Sequence, residues 1–207
     1  MTTPAVPSNP LLRAAADLFP GYFALIMATG IISVAAELLG MPAIATALLF
    51  VNVAAYGILS FLLLTRLALF FPRVKQDISD HIRGPGFFTV IAGTCVLGTQ
   101  LMIVSGRSTI ATVLWVIGLL LWIVIMYGFF FAVTVREEKP SLEKGLNGAW
   151  LIAVVSTQSI SVLGTLLSTR WTGYRELILF FTLCMFFVGC LLYVLLITLI
   201  FYRFTFV

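Results

Sequence analysis

Six stretches of this chain run for about 20 residues or more without a charged side chain: 18–36, 38–65, 84–106, 108–135, 145–169 and 177–202. Nothing else in the sequence limits the fold so strongly. A segment of that length and apolarity spans the roughly 30 Å hydrocarbon core of a bilayer as a helix. In lipid every backbone N–H and C=O must find its partner inside the segment, so irregular structure is excluded there. A β-barrel would need short segments of alternating polarity, and these are long and uniformly apolar. The sequence therefore predicts an all-α integral membrane protein with spanning helices near 20–39, 43–70, 86–105, 109–135, 147–168 and 176–202. Composition agrees: 10% of the residues are charged, against about 25% in a soluble domain.

A repeat runs through these segments. Gly21-Tyr22-Phe23 through Thr29 returns as Gly86-Phe87-Phe88 through Thr94, and more loosely as Gly148-Ala149-Trp150 through Ser156. The glycines lie 65 and 62 residues apart, with an aromatic two places after each and a hydroxyl eight places after each. A period this long marks a repeated supersecondary unit. Each copy opens an odd-numbered helix, and each even-numbered helix ends on a basic residue, Arg66, Arg136 or Arg203. The unit is a helical hairpin, present three times in parallel, at about 18–71, 84–136 and 145–204. Residues 1–16, with Pro4, Pro7 and Pro10, read as a disordered leader, and 17–207 as one transmembrane domain.

Charge sets the expected orientation. Arg13, Arg66, Arg73, Lys75, Arg83, Arg136, Lys139, Lys144 and Arg203 fall on one side; Arg107, Arg170 and Arg175 fall on the other. The positive-inside bias places the first set, and both termini, in the cytoplasm of a multi-pass cell-membrane protein. The net charge of +4 is thus a matter of loop topology and implies no nucleic acid. The basic loop Arg73, Lys75, His81, Arg83 could also draw anions to the membrane, although topology alone accounts for it.

Odd and even helices differ in chemistry. The odd ones carry Thr29, Gly30 and Ser33; Gly93, Thr94, Gly98, Thr99 and Gln100; and Ser156, Thr157, Gln158, Ser159, Ser161 and Gly164. The even ones carry bulky runs such as Leu119-Leu120-Leu121-Trp122 and Phe129-Phe130-Phe131. Small residues let helices approach and hydroxyls can bond across them or face water, whereas bulky surface suits lipid. This predicts inner odd helices and outer even helices. Thr29, Ser33, Thr94, Thr99, Ser156 and Ser159 are the candidates for lining an anion path, because neutral donors can replace hydration without trapping the ion. Their alternative role is helix packing. Phe23, Phe88 and Trp150 are candidates for constrictions or for interfacial anchors.

No enzyme constellation, metal site or cofactor motif is found. The single His81 sits beside Asp80 in a polar loop, and Glu37 stands at a helix edge as an interfacial acid or, less simply, a proton relay. Cys95, Cys184 and Cys190 have neither zinc nor redox spacing and read as buried, inert thiols.

The helix starts carry a resemblance. Phe19-Pro20-Gly21-Tyr22-Phe23-Ala24-Leu25-Ile26-Met27-Ala28-Thr29-Gly30 resembles the first helix of the tellurite-resistance/C4-dicarboxylate transporter family, which is related to malic acid permeases and plant slow anion channels. Gly84-Pro85-Gly86-Phe87-Phe88 through Gly98 and Asn147-Gly148-Ala149-Trp150 through Gly164 are similar to its third and fifth helices. The resemblance implies a ring of five hairpins, a trimeric homo-oligomer, and movement of C4-dicarboxylates such as malate or of tellurite-type oxyanions. The chain holds three of the five, so the expectation is truncation after the third hairpin, with no gating residue assignable. A non-transporting subunit that assembles with a partner is the alternative expectation.

Overall fold

The computed structural model describes residues 9–206. Among these, six helices are long and apolar enough to cross a membrane and no strand occurs. Helix α1 (Pro10–Ala16) precedes α2 (Ala24–Leu38) and α3 (Pro42–Leu69). Helix α4 (Phe71–Ile78) leads into α5 (Phe88–Ser105) and α6 (Ser108–Val135). The short α7 (Leu142–Gly145) leads into α8 (Ile152–Ser168) and α9 (Arg175–Phe206). The pairs α2/α3, α5/α6 and α8/α9 are the three hairpins.

The sequence repeat is a repeat of structure. Each motif glycine lies in a tight 3-10 turn, Pro20–Phe23, Gly84–Phe87 or Gly148–Leu151, that opens an odd-numbered spanning helix. At Gly86 a Cβ would stand 3.1 Å from the backbone nitrogen of Gly21 and 3.0 Å from the Phe19 ring. The first two turns therefore meet backbone against backbone. Thr89 ties them together, its Oγ1 lying 2.8 Å from Pro20 O and 2.7 Å from Gly86 O. At the other membrane face Gly40 (φ 76°) and Gly106 (φ 66°) take the left-handed conformation that ends α2 and α5. That conformation favours glycine because it carries no Cβ.

Three arginines close the hairpins in the same way. Arg66, Arg136 and Arg203 follow or end the outer helices, and each donates from Nη1 to a carbonyl in the segment leading into its own hairpin: Leu18, Ser79 and Leu146. Arg66 is only 2% exposed and also pairs with Asp77 at 2.7 Å, which in turn holds Arg83 at 2.9 Å. These side chains, read from sequence as topology signals, are structural clasps as well.

Helices α2, α5 and α8 stand side by side in that order, with α3, α6 and α9 outside them. Within each hairpin the inner helix is the more buried: 28% against 11%, 72% against 28%, and 56% against 22%. One apolar core joins α5, α6 and α8 through Phe88, Ile91, Phe129, Ile160 and Leu163. A second joins α2, α3 and α5 through Phe23, Ile26, Leu49, Val90 and Leu97.

Three expectations need correction. Residues 10–16 form α1 instead of continuing a disordered leader: Asn9 Oδ1 accepts from Leu11 N, Pro10 opens the helix, and Ala15 and Ala16 are buried. Residues 1–8 lie outside the described residues. The loop between the first two hairpins contains α4, whose Val74 is buried and whose Asp77 turns inward to Arg66, while Lys75 is exposed. Of the cysteines, Cys95 is buried but Cys184 is exposed on the outer surface of α9.

Candidate functional site

The inner helices carry the polar side chains, and the structure divides these into two groups. Ser33, Thr94 and Ser156 are fully buried. Ser33 Oγ donates to Ala45 O of α3 at 2.7 Å. Thr94 Oγ1 donates to Val90 O at 2.7 Å, so its contact of 2.9 Å with Tyr56 Oη leaves the tyrosine as the donor. Ser156 Oγ donates to Ala153 O at 2.8 Å. Thr29, Thr99 and Ser159 are half-buried. Ser159 Oγ lies 2.7 Å from Ser156 O, while the Thr29 and Thr99 hydroxyls make no side-chain hydrogen bond among the described residues. The three repeat-related hydroxyls thus share a position in the helix but not an exposure: Thr29 retains free surface, and Thr94 and Ser156 do not.

The aromatics do not behave as a set either. Phe23 and Phe88 are buried in the two cores, with Phe23 edge-on to Tyr56 at 6.0 Å and Phe88 edge-on to Phe129 at 5.4 Å. Both rings pack against protein and not against the exterior. Trp150 is half-buried and donates from Nε1 to His81 O (3.0 Å) and Gly145 O (3.1 Å), which ties two connecting segments together.

A buried amide pair completes the polar interior. Asn52 of α3 and Gln100 of α5 are both 0% exposed. Asn52 Nδ2 donates to Ile26 O of α2 at 3.1 Å and to Gln100 Oε1 at 2.7 Å, so one side chain joins three helices. Its carbonyl contact fixes which way the Asn52 amide points. Asn52 Oδ1 and Gln100 Nε2 make no hydrogen bond. Gly30 makes room for the pair, since a Cβ there would lie 3.1 Å from Asn52 Nδ2 and 2.5 Å from a Val96 methyl. The sequence reading noticed Gln100 as an inner-helix polar residue and passed over Asn52. The available signal was its isolation: it is the only Asn or Gln in the even-numbered helices.

The second and third hairpins are stitched in the same polar manner. Trp115 Nε1 donates to Ile160 O, and Trp122 Nε1 to Thr157 Oγ1, each at 2.9 Å. Within the third hairpin Ser161 Oγ donates to Thr182 O at 2.8 Å. Such bonds suit helices in lipid, where apolar side chains gain little by leaving one apolar medium for another.

Chemically, the three adjacent inner helices present hydroxyl and amide groups without a single Lys or Arg along their length. No group of three or more His, Cys, Asp or Glu able to hold a metal occurs among the described residues. Most of the inner-helix hydroxyls donate to backbone carbonyls, whereas those of Thr29 and Thr99 do not. No curated protein and no solved structure matches the chain. A family model described as a voltage-dependent anion channel matches residues 17–207. Six apolar helices in repeated hairpins, with a neutral polar interior and that match over nearly the whole sequence, place this chain in the voltage-dependent anion channel family.

Proposed function

We propose that the chain moves small organic acid anions across the membrane, with C4-dicarboxylates such as malate as the foremost class and tellurite-type oxyanions as the second. The observation that carries the reading is the row of inner helices α2, α5 and α8, bearing neutral donors and no cation. An anion there meets dipoles strong enough to offset part of its dehydration and too weak to retain it. The substrate class rests on the resemblance of the helix starts. The basic face, carrying Arg66, Arg136 and Arg203, is assigned to the cytoplasm by the positive-inside bias.

Thr29, Thr99 and Ser159 are the path-lining hydroxyls in this reading, because they keep surface that Thr94 and Ser156 have lost. Thr29→Val and Thr99→Val each remove one uncommitted donor worth about 1 kcal/mol, or roughly a fivefold change in flux. Ser159→Ala should have a smaller effect, because that hydroxyl donates to Ser156 O in the structure. The test is malate and chloride flux through proteoliposomes holding each variant. Unchanged flux in all three would remove the assignment.

A further inference from the structure

Two features that both reach the C-terminal end of α6 are not used by the path. The first is a polar pocket of about 330 Å³ between the segment following α4 and the α6–α7 connection. Arg136, Lys139 and Lys144 line it, opposed by Asp80 and Glu138, which leaves one net positive charge. Asp80 is already engaged, its Oδ1 accepting from the N–H groups of Ile82 and Arg83 at 2.8 Å each. Arg136 spends Nη1 on Ser79 O and keeps its other donors. His81 forms part of the wall, with a buried Nδ1 that has no hydrogen-bond partner.

The second feature is an apolar groove of about 500 Å³ between α6 and α9, lined by Met126, Phe130, Phe131, Val135, Val188 and Leu192 among others. It ends at Val135, one residue before Arg136. Trp150 packs near a lining residue of each: its ring lies 6.0 Å from His81 of the pocket and 6.2 Å from Phe130 of the groove. An apolar channel between two spanning helices therefore opens next to a cationic pocket at the helix ends. A free anion would use the pocket and leave the groove unexplained. A molecule with a phosphate at one end and a hydrocarbon chain at the other uses both.

We propose that this composite site binds an anionic phospholipid, with its phosphate held by Arg136, Lys139 and Lys144 and one acyl chain in the α6–α9 groove. The long Lys stems can lie along the helix ends while the ammonium groups reach the headgroup.

The test uses the whole chain reconstituted in phosphatidylcholine with or without phosphatidylglycerol, and reads lipid retention by native mass spectrometry. Phosphatidylglycerol is expected to be retained in preference to phosphatidylcholine. Lys139→Gln and Lys144→Gln, both exposed, should each weaken retention about fivefold, and Glu138→Gln should strengthen it. Val188→Trp, which fills the groove, should weaken lipid retention while leaving any response to inorganic phosphate unchanged. A second readout needs no variant. His81 is the only histidine; burial, then the Arg136 and Lys139 charges, hold its pKa below 6.5, with Asp80 pulling the other way. A phosphate seated among those charges should raise it, seen as a shift of one imidazole titration by NMR. Equal retention of the two lipids, no loss in the lysine variants, an unmoved His81 titration, or displacement of the lipid by inorganic phosphate would each overturn the proposal, the last in favour of a free-phosphate site.

Discussion

Replacing Asn52 by Leu should destabilise the protein far more than the size of the change suggests. The side chain is fully buried and donates two hydrogen bonds, to Ile26 O and to Gln100 Oε1. Hydrogen bonds between membrane helices contribute about 0.6 kcal/mol on average and up to about 1.7. The 2.7 Å bond to Gln100 sits at the short end of the usual range, so about 1 kcal/mol is assigned to it. Its loss also strands Gln100, whose Nε2 is already unpartnered. An amide buried with no partner on either atom adds a further roughly 1–3 kcal/mol. The expected loss for Asn52→Leu is therefore about 2–4 kcal/mol. Gln100→Leu should cost about 1 kcal/mol, because Asn52 keeps its bond to Ile26 O. In the double variant no amide is stranded, so the two losses should fall short of additivity by about 1 kcal/mol or more. The assay is a double-mutant cycle on reversible unfolding in bicelles. Additive losses would refute the claim that these two amides act as a unit. A neutral Asn52→Leu would refute the burial argument itself.

Further expectations concern the clasps, the helix contacts and the loop histidine. Arg66→Met removes the clasp to Leu18 O and one of the two arginines on Asp77; Arg83 remains, so the loss should sit near the lower end for a broken buried pair, about 3 kcal/mol by thermal unfolding. Gly164→Ala should cost about 2 kcal/mol by overpacking, because the new methyl would lie 2.6 Å from the Thr182 methyl and 2.9 Å from the Trp115 ring, itself held by Ile160 O and edge-on to Phe181. Gly57→Ala, with nothing within 4 Å of the added carbon, is the control and should leave the unfolding temperature unchanged or slightly raised. His81 has a folded-state pKa below 6.5, chiefly from burial. Between that value and 6.5 the unfolded chain binds more protons, so stability should fall as pH drops through this window and level off above 6.5. His81→Gln should flatten that part of the profile.

The class of fold was legible because membrane physics leaves so few alternatives: a long charge-free segment has to be a helix. The hairpin repeat was legible because Gly21, Gly86 and Gly148 each sit in a 3-10 turn that opens an inner helix. For Gly86 the cause is visible in the packing, where backbone meets backbone. The use of each hydroxyl was not legible. A helical Ser or Thr can bond a carbonyl three or four residues back, as Thr94 and Ser156 do, and no spacing reveals whether it has done so. Burial of Phe23 and Phe88 was hidden for a related reason. Two residues past a helix start suggests an interface, but the contact between the first two turns carries these rings into the core. Arg66, Arg136 and Arg203 were read for the sign of their charge, which says nothing about the carbonyls they grip. Asn52 was overlooked because its partners lie 26 and 48 residues away in the chain.

The most direct test of anion transport is uptake of labelled malate by proteoliposomes holding the purified chain, under an imposed membrane potential, with protein-free vesicles as the control. Potential-dependent uptake that saturates with malate and is reduced by Thr29→Val is the predicted result. Uptake equal to that of empty vesicles, from protein shown to be folded by its unfolding transition, would contradict it.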